Sequence, residues 1–306
     1  MKHIKWCLYI FCVLLAVPTL TWAQEEPPVF KLAVDVDLVE LHVSVVDDKD
    51  RTVSGLTKDN FRILENSISQ NIAVFKHEDV PVSLGLVIDN SRSIEPRKQR
   101  LDAAALAFVR KSNPEDETFV VHFDFDARLT QGFTGDTKVL EKTLANTKPF
   151  GQTALYDAVI TALEQMEKAQ YQKKAILVIS DGLDNMSKHT LAQAIERTKQ
   201  SRVAVYTVGL LSATDGEKAE QDLIKLAEAS GGRAYFPQNT DEARTMMETI
   251  ARDLREQYTL GYFPSSNKDG SWRSVRVEVL PPPGFPQKLT ANYRRGYYAS
   301  GTGPGK

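Results

Sequence analysis

Four apolar runs dominate the middle of the chain. Val82–Ile88, Phe119–Phe123, Ala175–Ile179 and Val203–Val208 are each nearly continuous in apolar residues. A strand with one wet face alternates apolar and polar residues, whereas a strand covered on both faces does not. The four runs therefore read as parallel strands buried under helices. Helical spacing fills the gaps between them. Leu101, Ala104, Ala105 and Phe108 share one face between Pro96, which opens a helix, and Pro114, which closes it. Leu155, Ala158, Val159, Ala162, Leu163 and Met166 keep the period over three turns. Thr190 and Gln193 form a capping box before Leu191, Ala194 and Ile195. A helix through Leu223, Leu226 and Ala227 stops at Gly231-Gly232. A short strand at Ala234–Phe236 follows, and Thr240 caps a last helix carrying Ala243, Met247, Ile250 and Leu254. Alternating strands and helices predict an α/β, doubly wound, mostly parallel sheet, at residues 82–257.

The flanks have a different texture. Phe30, Leu32, Val34, Val36 and Leu38 alternate with polar residues. The phase then slips by one, and Val39, Leu41, Val43 and Val45 alternate in turn. Period two marks a strand with one buried face, and the slip marks a bulge or break. Phe61–Leu64 and Ile72–Phe75 read as further short strands. After Tyr258 the pattern returns in Val275, Val277 and Val279, and in Leu289, Ala291 and Tyr293. A few strands on either side are marginal alone. The expectation is that residues 24–81 and 258–299 pair into one smaller β domain, with the α/β domain inserted between them. The Gly-rich tail, 300–306, is expected to be flexible.

The 306 residues are 42% hydrophobic and 25% charged, with a net charge of -2, so nothing draws the chain toward nucleic acid. The first 23 residues have the anatomy of a secretory signal peptide. Lys2 and Lys5 precede the apolar run Trp6–Val17, and Thr21-Trp22-Ala23 puts small residues at the -3 and -1 positions of a cut before Gln24. The run is short for a span of ~20 residues, so cleavage is preferred over a retained anchor. No later segment is long and apolar enough to cross a bilayer. The expected location is secreted or periplasmic. Cys7 and Cys12 both lie in the signal segment. A mature chain without them has no disulfide, no thiolate metal site and no cysteine nucleophile.

In open α/β sheets, ligands gather outside the carboxyl ends of the strands. The first buried strand ends in Asp89-Asn90-Ser91-Arg92-Ser93, and the third in Ser180-Asp181-Gly182. Between them, at a helix start, lies Gly151-Gln152-Thr153-Ala154-Leu155. Two carboxylates and three hydroxyls on one sheet edge are hard oxygen donors, suited to Mg²⁺, Mn²⁺ or Ca²⁺ and poorly suited to zinc or copper. Neither a GxGxxG turn nor a GxxxxGK[ST] loop is present.

Asp-x-Ser-x-Ser is a weak signal alone. Together with Thr153 and Asp181 it resembles the metal-ion-dependent adhesion site of von Willebrand factor type A domains, over residues 82–257. Val43–Asp47, Gly55-Leu56-Thr57 and Arg295–Tyr298 also look like the flanks of bacterial relatives. The resemblance implies that Asp89, Ser91, Ser93, Thr153 and Asp181 hold one divalent cation, Mg²⁺ first. It implies direct coordination by Ser91 and Ser93, Thr153 direct or through water, and both aspartates largely through water. An Asp or Glu of a protein partner would fill the open position. Asn90, Arg92, Gln152 and Asp184 would form the ligand-binding periphery. Arg92 stands where the family often has Gly, putting a cation beside the site that either repels metal or recruits an anionic partner.

Other polar residues read more plainly. Asp124 and Asp126 fit a solvated turn better than an acid/base pair. Asn185 fits loop shaping, and His122 a packed, hydrogen-bonded strand residue. His42, His77 and His189 share no metal-like spacing. Asp157 opens a helix, where a carboxylate suits the dipole. Tyr258, Tyr262 and Tyr297 fit a β core. The expected function is non-enzymatic, metal-dependent protein binding in adhesion or assembly. Two alternatives stand beside it: a metal-independent structural protein, and a metal-assisted hydrolase. The hydrolase needs a general base near the metal, and no convincing base or Gly-x-Ser-x-Gly elbow is found.

Overall fold

A computed structural model of the chain describes residues 38–145, 147–211, 216–265, 268–285 and 288–299. The signal segment, the alternating stretch from Phe30 to Asp37 and the 300–306 tail lie outside the described residues. In chain order, β1 (Val39–Val46), β2 (Phe61–Glu65), β3 (Ile68–Gln70) and β4 (Ile72–Lys76) precede β5 (Val82–Asp89). Next come α1 (Lys98–Lys111), β6 (Glu117–Phe123), β7 (Ala127–Thr134), α2 (Thr137–Ala145), α3 (Leu155–Met166) and β8 (Lys173–Ser180). The α/β portion continues with α4 (Leu191–Gln200), β9 (Ala204–Gly209), α5 (Gly216–Glu228), β10 (Ala234–Tyr235) and α6 (Thr240–Arg255). The chain then returns to strands: β11 (Tyr258–Tyr262), β12 (Trp272–Val279), β13 (Thr290–Asn292) and β14 (Gly296–Tyr298).

The four apolar runs form the centre of a six-stranded sheet, ordered β10-β9-β8-β5-β6-β7. All its pairings are parallel except β6 with β7. Every residue of β5 is buried, as a strand covered on both faces requires. Leu84, Leu86 and Ile88 pack toward the apolar stripes of α1, α2 and α6. Val87, on the other face, packs with α3, α4 and α5. The fold is thus mixed α/β, with helices on both faces of a mostly parallel sheet and antiparallel sheets in addition. Among the described residues no helix is long and apolar enough to cross a membrane.

Strands from both flanks interleave. One sheet runs β13-β1-β11-β4 and another β14-β12-β2-β3. β4 and β11, which precede and follow the α/β portion, are antiparallel neighbours through Phe75–Leu260. Leu41, Val43, Ile63, Tyr258, Leu260, Tyr262 and Val277 share one core. Its one buried acid in β2, Glu65, accepts hydrogen bonds from the hydroxyls of Tyr262 and Tyr297, each at 2.7 Å. Tyr258 donates to the Val53 carbonyl at 3.0 Å.

Several local details differ from the sequence reading. Pro96 lies inside a 3-10 turn, Arg92–Arg97, and α1 begins after it. β7 and α2 fill the stretch between the second buried strand and α3. The last long helix is capped by Asn239 rather than Thr240, because the Asn239 side chain accepts from the Glu242 amide at 2.9 Å. The Thr190–Gln193 capping box forms at the head of α4 as the spacing predicts.

Gly231 ends α5 at φ +79°, and a Cβ there overlaps the Tyr293 backbone of the β portion. Left-handed backbone costs a non-glycine residue ~1–3 kcal/mol before any clash. Gly55 has a similar φ, +78°, but faces open space. Gly231→Ala is expected to destabilise the protein by more than about 2 kcal/mol, and Gly55→Ala by clearly less. Urea unfolding of the two variants checks this, and equal losses would contradict the close approach.

Candidate functional site

The register of two strands builds the site. β5 and β8 run side by side, and Ile88 faces Ile179 as their last pair. Both chains then leave the sheet at the same edge, bringing Asp89 close to Ser180 and Asp181. Asp89 is 1% exposed. Its Oδ1 accepts from the Ser91 amide at 2.8 Å, and its Oδ2 from the Ser180 hydroxyl at 2.6 Å. The Ser91 and Ser93 hydroxyls are 2.9 Å apart. The segment before α3 closes over this loop. The Phe150 amide donates to the Asn90 carbonyl at 2.7 Å, and the Arg92 amide to the Gly151 carbonyl at 3.3 Å. Thr153 is buried, and its backbone is stitched to the loop after β8. Its amide donates to Asn185 Oδ1 at 2.9 Å, and its carbonyl accepts from the Asn185 and Met186 amides, each at 3.1 Å. The three segments singled out in the sequence therefore meet at one edge.

Electrostatics sets the character of the edge. Burial and, second, the neighbouring Asp181 charge push the Asp89 carboxyl up to about 6, against the Ser180 and Ser91 bonds that favour its charged form. Asp181 is fully buried. Its Oδ2 accepts from Arg97 Nη1 at 3.2 Å, and the same nitrogen reaches the Ser93 carbonyl at 3.3 Å. The Arg97 side chain is only 14% exposed. Two buried carboxylates beside hydroxyl oxygens form a hard, anionic donor set in mutual repulsion, and a small divalent cation fits it. Among the described residues no three His, Cys, Asp or Glu side chains gather as a metal cage.

Arg97 and Ser180 are the two site residues that sequence reasoning missed. Ser180 was legible, since it directly precedes Asp181. Arg97 pairs across 84 residues of sequence, and no local pattern announces that. The cation at Asp181 is thus Arg97, while Arg92 is exposed on the rim. Gln152 is exposed too, and Asn90 is buried with its Oδ1 unpartnered. Asp184 is tied up in loop structure: its Oδ2 accepts from the Tyr156 amide at 3.1 Å and from the Ser187 hydroxyl at 2.5 Å. Asp157 accepts from the Lys188 and His189 amides at 2.9 and 3.0 Å. Asp124 is not a solvated turn residue. It is buried and held by both terminal nitrogens of Arg128, while its carbonyl accepts from the Ala154 amide at 2.8 Å.

The fold and its edge define a doubly wound α/β domain carrying an oxygen-donor site. Residues 84–183 match the family model of the von Willebrand factor type A domain, and the chain contains such a domain. A von Willebrand factor type A protein from Catenulispora acidiphila superposes with a TM-score of 0.50 at 12% identity, over 87% of this chain and 75% of that one. The vWF domain of the type V pili tip protein Mfa5 from Porphyromonas gingivalis gives 0.50 at 15%, over 57% and 95%. A mutant of the PilB minor pilin from Streptococcus sanguinis gives 0.50 at 14%, over 57% of this chain and 62% of that one. At these identities the likeness is one of fold. No curated protein sequence matches the chain.

His122 sits on β6 beside this edge, 3% exposed, with Nδ1 2.7 Å from the Thr130 hydroxyl and Nε2 unpartnered. Burial, then the Lys98 and Arg128 charges, pull its pKa from 6.5 down to about 4. The unfolded chain takes up this proton near pH 6.5 and the folded chain only near 4, so stability is lost as pH falls through that window. The loss amounts to at most ~3 kcal/mol. The urea midpoint should therefore drop less between pH 7 and pH 4.5 in His122→Gln than in wild type. An identical drop would show that His122 titrates normally.

Proposed function

We propose that the chain is an exported binding module that captures a protein partner through a divalent cation at the Asp89–Asp181 edge. One observation carries this reading. Two buried carboxylates meet the Ser91 and Ser93 hydroxyls at the carboxyl edge of a von Willebrand factor type A sheet. A divalent cation, Mg²⁺ first, would be held by Asp89, Ser91, Ser93, Thr153 and Asp181 and would supply an electrophilic centre for an Asp or Glu carboxylate of the partner. The chain's own residues prepare that edge. Ser180 and the Ser91 amide orient Asp89. The Asn185 side chain and the 185–186 amides fix the backbone of Thr153. Arg97 balances the charge of Asp181.

Two structural neighbours, a pilus tip protein and a minor pilin, support a role in assembly outside the cytoplasm. A binding role also suits the residues that a hydrolase would recruit as bases. His122 is packed into β6, and Asp157 is committed to the amides of Lys188 and His189.

Isothermal calorimetry of Mg²⁺ and Mn²⁺ into the EDTA-stripped chain tests the reading. Wild type should bind saturably and Asp89→Ala should not. Partner capture should then be lost in EDTA. A folded wild type that binds neither ion sinks the proposal.

Arg97 adds a second test with two signs. Arg97→Met removes a cation that competes for Asp181, so Mg²⁺ should bind roughly tenfold tighter. Without metal the same change leaves Asp181 buried with less compensation, a loss of up to ~3–5 kcal/mol. The metal-free melting point should fall while the gap between metal-free and metal-loaded melting widens. A narrowed gap would mean that Arg97 supports the ion instead of competing with it.

A further inference from the structure

At the opposite edge of the parallel sheet, where β8 and β9 begin, a cavity of about 50 Å³ opens between the α/β and β portions. Lys174, Lys199, Arg202 and Arg294 line it, and Glu40 is the one acid among its lining residues. None of these four cations forms an ion pair with a described carboxylate. Lys174 Nζ donates to the Met166 carbonyl at 3.2 Å, and Lys199 lies 5.8 Å from the Trp272 ring centroid. Arg294 Nη2 donates to the Glu40 carbonyl at 2.9 Å, a neutral acceptor.

Two buried polar atoms on the cavity residues lack partners: Arg294 Nε and the hydroxyl of Thr198, a residue 1% exposed. A buried group left unbonded is costly, and natural structures leave few of them. Lys199 and Arg202 flank the carboxyl end of α4, where cations complement the helix dipole. That accounts for those two alone. Arg294 arrives from the segment between β13 and β14, and the like charge of Arg202 acts on it more strongly than the opposing charge of Glu40. Burial and that repulsion lower Arg294 to about 10, and burial with Lys173 and Arg294 lowers His42, another lining residue, to about 4. Four cations against the single carboxylate of Glu40 leave the cavity net electropositive. A water needs ~10–15 Å³ of such volume, so the space takes roughly three to five heavy atoms.

We propose that this cavity is a binding site for one small tetrahedral oxyanion, phosphate or sulfate, held by Arg294, Arg202 and the Thr198 hydroxyl. Such an ion supplies the missing acceptors to both orphaned donors and bridges the two portions of the chain.

The test is calorimetric titration of sodium phosphate, sodium sulfate and, separately, sodium acetate into the full chain at constant ionic strength. Phosphate or sulfate should saturate in wild type. Arg294→Gln should weaken it by about tenfold or more, as loss of a charge-assisted bond does. Because Arg294→Gln also removes the contact to Glu40, Arg202→Gln, at an exposed position, and Thr198→Val are measured beside it and should weaken binding too. Asp89→Ala should bind the anion as wild type does, which separates this site from the metal edge. The proposal is overturned if folded wild type shows no saturation, or if the variants at 202 and 198 bind as wild type does. Arg294-dependent binding of acetate alone also overturns it, since the occupant is then a carboxylate.

Discussion

Adjacent parallel strands β5 and β8 leave the sheet in register, and much of the molecule follows from that. Parallel neighbours point the same way, so residues beyond their last pair are delivered to one edge. Here the delivered residues are Asp89, Ser180 and Asp181. Burying two carboxylates side by side is unfavourable unless their charge is answered. The chain answers it with a short bond from Ser180, an amide from Ser91 and the guanidinium of Arg97. Arg97 reaches Asp181 because a 3-10 turn follows β5 before α1 begins. The departure of that helix start from the simplest reading of Pro96 is thus part of how the site is assembled.

The sheet was legible in the sequence because its central strands are buried on both faces, which leaves an unbroken apolar signature in Val82–Ile88 and Ala175–Ile179. The Asp89, Ser91, Ser93, Thr153 and Asp181 segments were legible for a related reason: polar residues directly after such runs stand out. β7 left no comparable mark. It is an edge strand whose residues are half-buried or exposed, so its pattern is mixed. α2 is nine residues long with only Leu140 and Leu144 buried, too few to establish a period. Asn239 and Thr240 are both competent caps, and the choice between them rests on which side chain reaches the Glu242 amide. Arg97 and Arg128 were hidden because an ion pair depends on where two segments meet in space.

The flanking strands are bound together by polar contacts as well as by apolar ones. Glu65 sits in a closed core where two tyrosine hydroxyls bond the same oxygen. Asp253, at the end of α6, gathers Thr52, Arg233 and Tyr235, and Arg233 reaches on to Asp50 at 2.8 Å. Residues from the first turn of the β portion are thereby tied to the last helix of the α/β portion. Burial raises the Asp253 carboxyl above its ordinary range, with those bonds opposing the shift.

The pairing of β4 with β11 has a mechanical consequence. These strands enter and leave the α/β portion, and they are zipped to each other at its neck. β11 is zipped in turn to β1, and β1 to β13. Tension applied along the chain from before β1 to beyond β14 therefore loads these ladders first. The segment bearing Asp89 and Asp181 lies in a loop outside the load path and feels no pull until β11 is stripped from its neighbours. Tension passed from one flank to the other would thus leave the Asp89–Asp181 edge unloaded for as long as β4 and β11 stay zipped.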